Sequence, residues 1–272
     1  MVIFPKAKIN IGLRITGKRS DGFHNLETIF YPVYLCDAIE FIVPEQPLKS
    51  DIFQVTGVLS DSGFANNLVM MAVIKIREVS KIPFLRIHLH KAIPVGAGLG
   101  GGSSDAATML KSLNRHFDLG ISNEKLKAIS LELGSDCPFF LESNPAYAEG
   151  RGELLTHVQY ITEGLHLLMI NPGIHVNTRE AYSYCTPKQP DTNLTDLYNL
   201  DISQWKNLII NDFEEFIFSK YPQIALIKMK MYEMGAVYSS MSGSGSTVYG
   251  IFYNKPEIPD SLRNQVIYSD IL

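Results

Sequence analysis

One stretch restricts the fold more than any other: five glycines in the seven residues Gly96 to Gly102, set between a strand pattern and a helix pattern. Upstream, Leu85, Ile87 and Leu89 alternate with Arg86, His88 and His90, which predicts a strand over 84–91. Downstream, Ala106, Ala107, Leu110 and Leu113 recur at helical spacing, with Ser103 placed to cap a helix running to about Phe117. Glycines let backbone N–H groups converge with no side chain in the way, and the start of a helix adds its positive end. A strand, glycine loop and helix in this order predict a phosphate cradle. A flexible connector would have no use for a capped helix at its end. Two common phosphate loops do not fit. A Walker A loop needs Lys and then Ser or Thr after its glycines, and here Gly102 is followed by Ser103. A dinucleotide fingerprint built on Gly98 and Gly100 meets Ser103 where its last glycine belongs, and no suitable acidic residue ends a following strand. Ser103 and Ser104 have two compatible uses, capping the helix and contacting phosphate or Mg²⁺. Asp105 reads as a first-turn carboxylate that complements the helix dipole, in preference to a metal ligand.

The rest of the chain predicts an α+β fold, because strand and helix patterns mix without strict alternation. Ile9, Ile11, Leu13 and Ile15 alternate with Asn10, Gly12 and Arg14, which predicts a half-buried strand over 8–16. Further strands are expected at 27–35, 38–43, 153–159, 166–171, 236–240 and 247–253. Helices are expected at 68–79, 122–133, 177–184, 204–218 and 224–234, with turns at 60–66 and a long loop at 186–199. A division into residues 1–150 and 151–272 follows.

The formal net charge of -4 excludes the basic excess of a typical nucleic-acid binder. Three cysteines, Cys36, Cys137 and Cys185, match no zinc spacing and are too few for a disulfide framework, so free thiols in a reducing cytoplasm are expected. The first ten residues lack the apolar core of a signal peptide, and no window is apolar enough to span a bilayer. No nucleic-acid or membrane partner is expected, and either a monomer or a homodimer is compatible with the composition.

The segment PVGAGLGGGSSDAA, Pro94 to Ala107, resembles the second motif of the GHMP kinases, the superfamily of galactokinase, homoserine kinase and mevalonate kinase. SSMSGSGSTVYGIF, Ser239 to Phe252, resembles their third motif. PKAKINIGLRITGKRSDGFHNLETIF, Pro5 to Phe30, is similar to the N-terminal motif of one branch, whose substrate is a cytidine-diphosphate-linked methylerythritol. LGSDCPFF, Leu133 to Phe140, resembles that branch's segment with the catalytic aspartate, and AEGRGELL, Ala148 to Leu155, also fits. The resemblance implies a two-lobed fold with an active-site cleft between the lobes. It implies phosphorylation of the 2-hydroxyl of the methylerythritol unit by ATP with Mg²⁺, whose ligands are unknown, in the non-mevalonate route to isoprenoids.

Phosphoryl transfer asks the protein for positioning and charge stabilisation, helped by a base near the attacking hydroxyl. The resemblance makes Asp136 that base; an isolated Asp before Pro138 would otherwise read as a surface turn. Lys6 and Lys8 share a strand face, and the family's Ala-Lys-x-Asn pattern selects Lys8, followed by Asn10. For ATP the candidates are Asn66, Lys91, Pro94, Gly96, Gly98, Leu99, Gly100, Gly101, Gly102, Ser103 and Ser104. For the substrate they are Asn10, Phe23, His24, Tyr182, Gly243 and Ser244. Phe23 and Tyr182 offer stacking faces and His24 a reader of the base edge. Phe23 stands where the branch more often has tyrosine, which keeps the stacking face and loses a phenol contact. Helix capping is an equal use for Asn66, and core packing for Tyr182. Competing functions are a kinase for another small alcohol and a silent nucleotide-binding relative. The second would be expected to lack Lys8, Asp136 or the loop glycines.

Overall fold

The computed structural model describes residues 1–58 and 67–272. In chain order its elements begin β1 (Val2–Ile3), β2 (Lys6–Lys18), β3 (His24–Cys36), β4 (Ala38–Ile42), β5 (Ile52–Gly57), α1 (Leu68–Val79) and β6 (Arg86–Lys91). There follow α2 (Gly101–His116), α3 (Asn123–Leu133), α4 (Cys137–Phe140), β7 (Ala146–Glu149), β8 (Leu154–His157) and β9 (His166–Ile170). Next are α5 (Thr178–Tyr184), α6 (Leu194–Tyr198), a 3₁₀ turn (Ile202–Asn207), α7 (Phe213–Lys220) and α8 (Pro222–Glu233). The chain ends with β10 (Tyr238–Met241), β11 (Val248–Phe252), α9 (Asp260–Arg263) and β12 (Val266–Ile271). Among the described residues no helix is long and apolar enough to cross a membrane.

By contact the chain divides into two units whose segments interleave. The first is Met1–Ala7, Val33–Val95 and Gly100–Ser143; the second is Lys8–Pro32, Gly96–Leu99 and Asn144–Leu272. This differs from a single cut after residue 150. The physical reason is strand pairing at long range: Thr28, Ile29 and Phe30 of β3 pair with Ala148, Tyr147 and Ala146 of β7. That pairing draws the early strands into the later unit.

In the first unit β1, β4, β6 and β5 form a sheet in that order, with β5 parallel to β6 and the other pairs antiparallel. Helices α1 to α4 pack on one another. Their buried residues include Val69, Val73 and Ile76 of α1 and Ala106, Met109, Leu110 and Leu113 of α2, at the spacing of one helix face. Asn67 caps α1, its side chain accepting from the Val69 amide at 3.0 Å. Asn66 and the turn expected over 60–66 lie outside the described residues. Helix α2 starts three residues earlier than the sequence suggested. Its N-cap is Gly100, in the left-handed region at φ +69°, with no side-chain cap. Ser103 is therefore inside the helix and does not cap it, and Asp105 lies beyond the first turn. The glycine backbone itself makes the entry that a capping serine would otherwise make.

The second unit holds two antiparallel sheets, β2-β3-β7-β8 and β10-β11-β9-β12. Leu168, Ile170, Val248 and Phe252 of the second sheet join Ile217, Ile224, Ile227 and Met231 of α7 and α8 in one buried cluster. Strand β2 is buried without alternation from Lys8 to Leu13, not half-buried as its pattern suggested. Its polar positions go inside because hydrogen bonds await them there. The expected helix over 204–218 is interrupted at 208–212, where Asn211 bridges to Leu13 in parallel. The expected loop over 186–199 contains α6, capped by Asn193. Strands β1, β5, β7 and β12 were not anticipated; β1 and β7 have 2 and 4 residues, too short for a period to show.

Candidate active site

In the second unit two glycine turns interlock. The Gly98 carbonyl accepts from Ser242 Oγ at 2.9 Å and from Lys8 Nζ at 3.3 Å. The Lys8 amide donates to Leu99 O at 3.0 Å, and the Thr247 amide to Ala97 O at 3.3 Å. Gly98 has φ +79°, and a Cβ there would stand 1.9 Å from the Ser242 carbonyl oxygen. A Cβ on Gly243 would come 3.2 Å from Gly98 O and 3.3 Å from Asn10 Oδ1. Glycine is required at Gly98 by both conformation and space.

Lys8 is 4% exposed, which is rare for lysine unless its charge is used. Its ammonium donates to Asn10 Oδ1 at 2.5 Å. Asn10 is oriented in turn: Nδ2 donates to Thr28 Oγ1 at 3.0 Å, its amide to Ser242 Oγ at 3.2 Å, and its carbonyl accepts from Tyr249 OH at 2.7 Å. Thr28 Oγ1 donates to Gly12 O at 2.5 Å. The second turn is braced from behind. Asn211 Nδ2 donates to the carbonyls of Met241 at 2.7 Å and Gly243 at 2.8 Å. Glu214 Oε1 accepts from Ser240 Oγ and the Met241 amide at 3.0 and 2.8 Å. Ser244 Oγ bonds Thr178 Oγ1 at 2.8 Å.

Thr28, Asn211, Glu214 and Tyr249 escaped the sequence reading. Asn211 was hidden inside a presumed helix; the Asn-Asp pair at 211–212 was the turn signal that could have revealed it.

Still in the second unit, His24 stacks on Tyr182 with centroids 5.1 Å apart and planes at 19°. Tyr182 meets Phe213 edge-on at 4.9 Å and packs on the core cluster, so it is both a core aromatic and the partner of His24. Phe23 is exposed at the turn, with the Arg151 guanidinium 4.9 Å from its ring. Burial, and then Lys18, lower the pKa of His24, which favours the neutral ring with one donor and one acceptor nitrogen.

In the first unit the glycine run passes directly into α2. Gly102 is exposed, Gly100, Gly101 and Ser103 are half-buried, and Ser104 is fully buried. The first turn of a helix carries amides with no intrahelical acceptor, and its dipole favours an anion there. Ser103 reaches the Cys137 thiol, which burial pushes up to about 12. Cys137 follows Asp136, the N-cap of α4, whose carboxylate makes no capping bond to that helix. Lys91 Nζ donates to Asp37 and Asp105.

Among the described residues no group of three His, Cys, Asp or Glu side chains is arranged to hold a metal ion. Mg²⁺ that travels on ATP is bound largely by phosphate oxygens and water, and needs no cage made by the protein alone.

Models of two families match the chain: the GHMP kinases N terminal domain over residues 67–144 and the GHMP kinases C terminal over residues 194–268. The class is thus a GHMP kinase. A mevalonate kinase from Methanococcus jannaschii shares the fold, with a TM-score of 0.67 at 11% identity over 93% of this chain and 90% of that one. A solved 4-(cytidine 5'-diphospho)-2C-methyl-D-erythritol kinase has a TM-score of 0.77 at 31% identity, over 92% of this chain and 90% of that one. The 4-diphosphocytidyl-2-C-methyl-D-erythritol kinase of Parabacteroides distasonis is 44% identical over 99% of this chain and 97% of its own. That of Azobacteroides pseudotrichonymphae is 44% identical over 100% of both. The chain belongs to the 4-diphosphocytidyl-2-C-methyl-D-erythritol kinase family of GHMP kinases.

Proposed function

We propose that the chain moves the terminal phosphate of ATP onto the 2-hydroxyl of 4-diphosphocytidyl-2-C-methyl-D-erythritol, in the non-mevalonate route to isoprenoid precursors. The observation that carries this reading is the pair of interlocked glycine turns beside a buried lysine, in a chain alike over its whole length to enzymes of that name.

The residue roles follow from the chemistry. The phosphates take the glycine loop, from Pro94 and Gly96 to Ser103, where the left-handed entry at Gly100 leaves the first amides of α2 to donate. Lys8 holds its charge at the Gly98 carbonyl, where it offsets charge developing on the phosphoryl group. Asn10 fixes that ammonium, and Thr28, Ser242 and Tyr249 fix Asn10. Asp136, at the N-cap of α4, supplies the carboxylate that accepts the proton of the attacking hydroxyl. Gly243 and Ser244 close the phosphate end of the substrate. Phe23, His24 and Tyr182 take the cytosine, with ring faces to stack and a neutral imidazole to read the edge. Mg²⁺ accompanies ATP and neutralises phosphate charge when bound. The chain acts in the cytoplasm, as a monomer or homodimer.

The test is a coupled ADP-release assay with the cytidine-linked methylerythritol beside unlinked methylerythritol phosphate, homoserine and mevalonate. Turnover of the linked compound well above the others is the expected result. Equal turnover of an unlinked alcohol would sink the substrate assignment.

A further inference from the structure

Lys91 ends the strand that feeds the glycine loop, and its ammonium is engaged inside the protein. Lys91 is 5% exposed, Asp105 2% and Asp37 0%. Lys91 Nζ donates to Asp37 Oδ2 and, at 2.8 Å, to Asp105 Oδ2. Asp37 lies between β3 and β4, Lys91 closes β6, and Asp105 sits in α2, so one ammonium ties three elements of the first unit.

The tie reaches the loop from both ends. The other oxygen of Asp37 accepts from the amides of Ala92 at 2.6 Å and Ile93 at 2.9 Å, the residues that leave β6. Asp37 is anchored by its own amide, which donates to Pro5 O at 3.0 Å. A Cβ on Gly101 would stand 3.2 Å from Lys91 Nζ and 2.9 Å from Ile93 Cγ2. The ammonium and Ile93 therefore lie against the first residue of α2.

Burying three ionisable groups is costly, and apolar side chains of similar volume would often hold the same elements at least as firmly. Here Asp105 Oδ1 is also buried without a hydrogen-bond partner. Burial pushes the Asp105 carboxyl up to about 8, with Lys91 pulling it down and Asp37 adding to the rise. An arrangement so poor as plain stabilisation has a better use in direction: charged hydrogen bonds hold an angle that apolar packing leaves loose.

We infer that Asp37, Lys91 and Asp105 are positioning residues for ATP: they fix the first turn of α2 against the end of β6 and so aim its amides at the phosphates. The inference rests on the reading of that turn as the phosphate site. It replaces a direct contact of the Lys91 ammonium with nucleotide by an action through Asp37 and Asp105.

The experiment is calorimetric titration of the full chain, well below its melting point, with a non-hydrolysable ATP analogue and separately with the cytidine-linked alcohol. Lys91→Met and Asp105→Leu weaken the analogue by about tenfold or more, since small misplacements of binding groups cost that much. Their affinity for the alcohol stays within about twofold of wild type, the range of indirect effects between separate sites. Asp105→Asn, which keeps an acceptor for Lys91, recovers most of the loss. A lower melting point with unchanged analogue affinity, or equal weakening of both ligands, overturns the inference. If Lys91→Met does not fold, the Asp105→Asn and Asp105→Leu pair decides. Wild-type chain that binds no analogue would overturn the functional reading as well, which separates the two failures.

Discussion

The glycine turns at 96–102 and 241–246 look alike in sequence and are held in opposite ways. The first runs into α2, a 16-residue helix, so its last amides meet a helix start, where donors outnumber acceptors. The second joins β10 to β11, paired in antiparallel register from Tyr238↔Ile251 to Met241↔Val248. Its groups are already matched: Gly245 N to Ser242 O at 3.0 Å, Ser242 N to Thr247 O at 2.9 Å, and two carbonyls to Asn211. The difference teaches that glycine richness has two physical uses. In the first turn it sets main-chain donors at a helix start, where the proposed function puts the phosphates. In the second it permits close approach, so that Ser242 and Gly243 can press on Gly98.

The sharpest way to break this comparison is Gly98→Ala. The new Cβ meets a carbonyl at 1.9 Å in a left-handed backbone, so we expect loss of about 3 kcal/mol or more, read by denaturant unfolding. A loss under about 1 kcal/mol would mean that the turns are not locked together.

Asp136→Asn tests whether the turns bind without reacting. Turnover should fall roughly a hundredfold or more, about 2.7 kcal/mol of barrier, while the ATP analogue binds as before. Lys8→Ala should lower turnover by a similar factor. Near-normal turnover in folded Asp136→Asn would remove it as the base.

Asn211→Ala isolates the brace behind the second turn. Two buried carbonyls lose their donor, at about 1–3 kcal/mol, seen as a lower melting temperature. The comparison predicts a rise in KM for the alcohol without weaker ATP binding. Weaker ATP binding alone would assign the brace to the wrong turn.

The smallest effect concerns His24. Its folded pKa lies below the ordinary value of 6.5 because of burial and Lys18, so the unfolded chain takes up its proton first. Its contribution to stability is complete above that ordinary value and is lost as pH falls through the lowered folded one. Melting curves of wild type and His24→Gln should therefore converge or cross on acidification below pH 6.5, and run parallel above it. Parallel curves throughout would show that His24 titrates alike in both states.

Much of the proposed site is legible in the sequence. The run Gly96 to Gly102 predicts a phosphate cradle because glycine count and a following helix are local facts. Lys8, Asn10 and Asp136 needed the resemblance, since an isolated Lys or Asp has many ordinary uses. Glu214 and Asp37 were illegible, and Asn211 offered a turn signal but not its partner: each acts on a segment more than twenty residues away that nothing in its neighbourhood records.

Secondary structure divides the same way. Helix α1 was read to the residue from Leu68, Met71, Ala72, Ile76 and Val79, although of these only Ala72 and Ile76 are among its buried residues. Strand β2 was placed correctly but its burial was not. Period two reports one apolar face, and the other face of β2 is buried only because Thr28, Ser242 and Tyr249 supply hydrogen bonds to Asn10. The sequence by itself determined the α+β class, the glycine loop and the family, all written in local pattern and composition. Only the tertiary structure decided the interleaved units, the lock between Gly98 and Ser242, and the placing of Lys91 between two carboxylates. These depend on hydrogen bonds and packing between residues far apart in the chain, and such partners are chosen by the folded geometry.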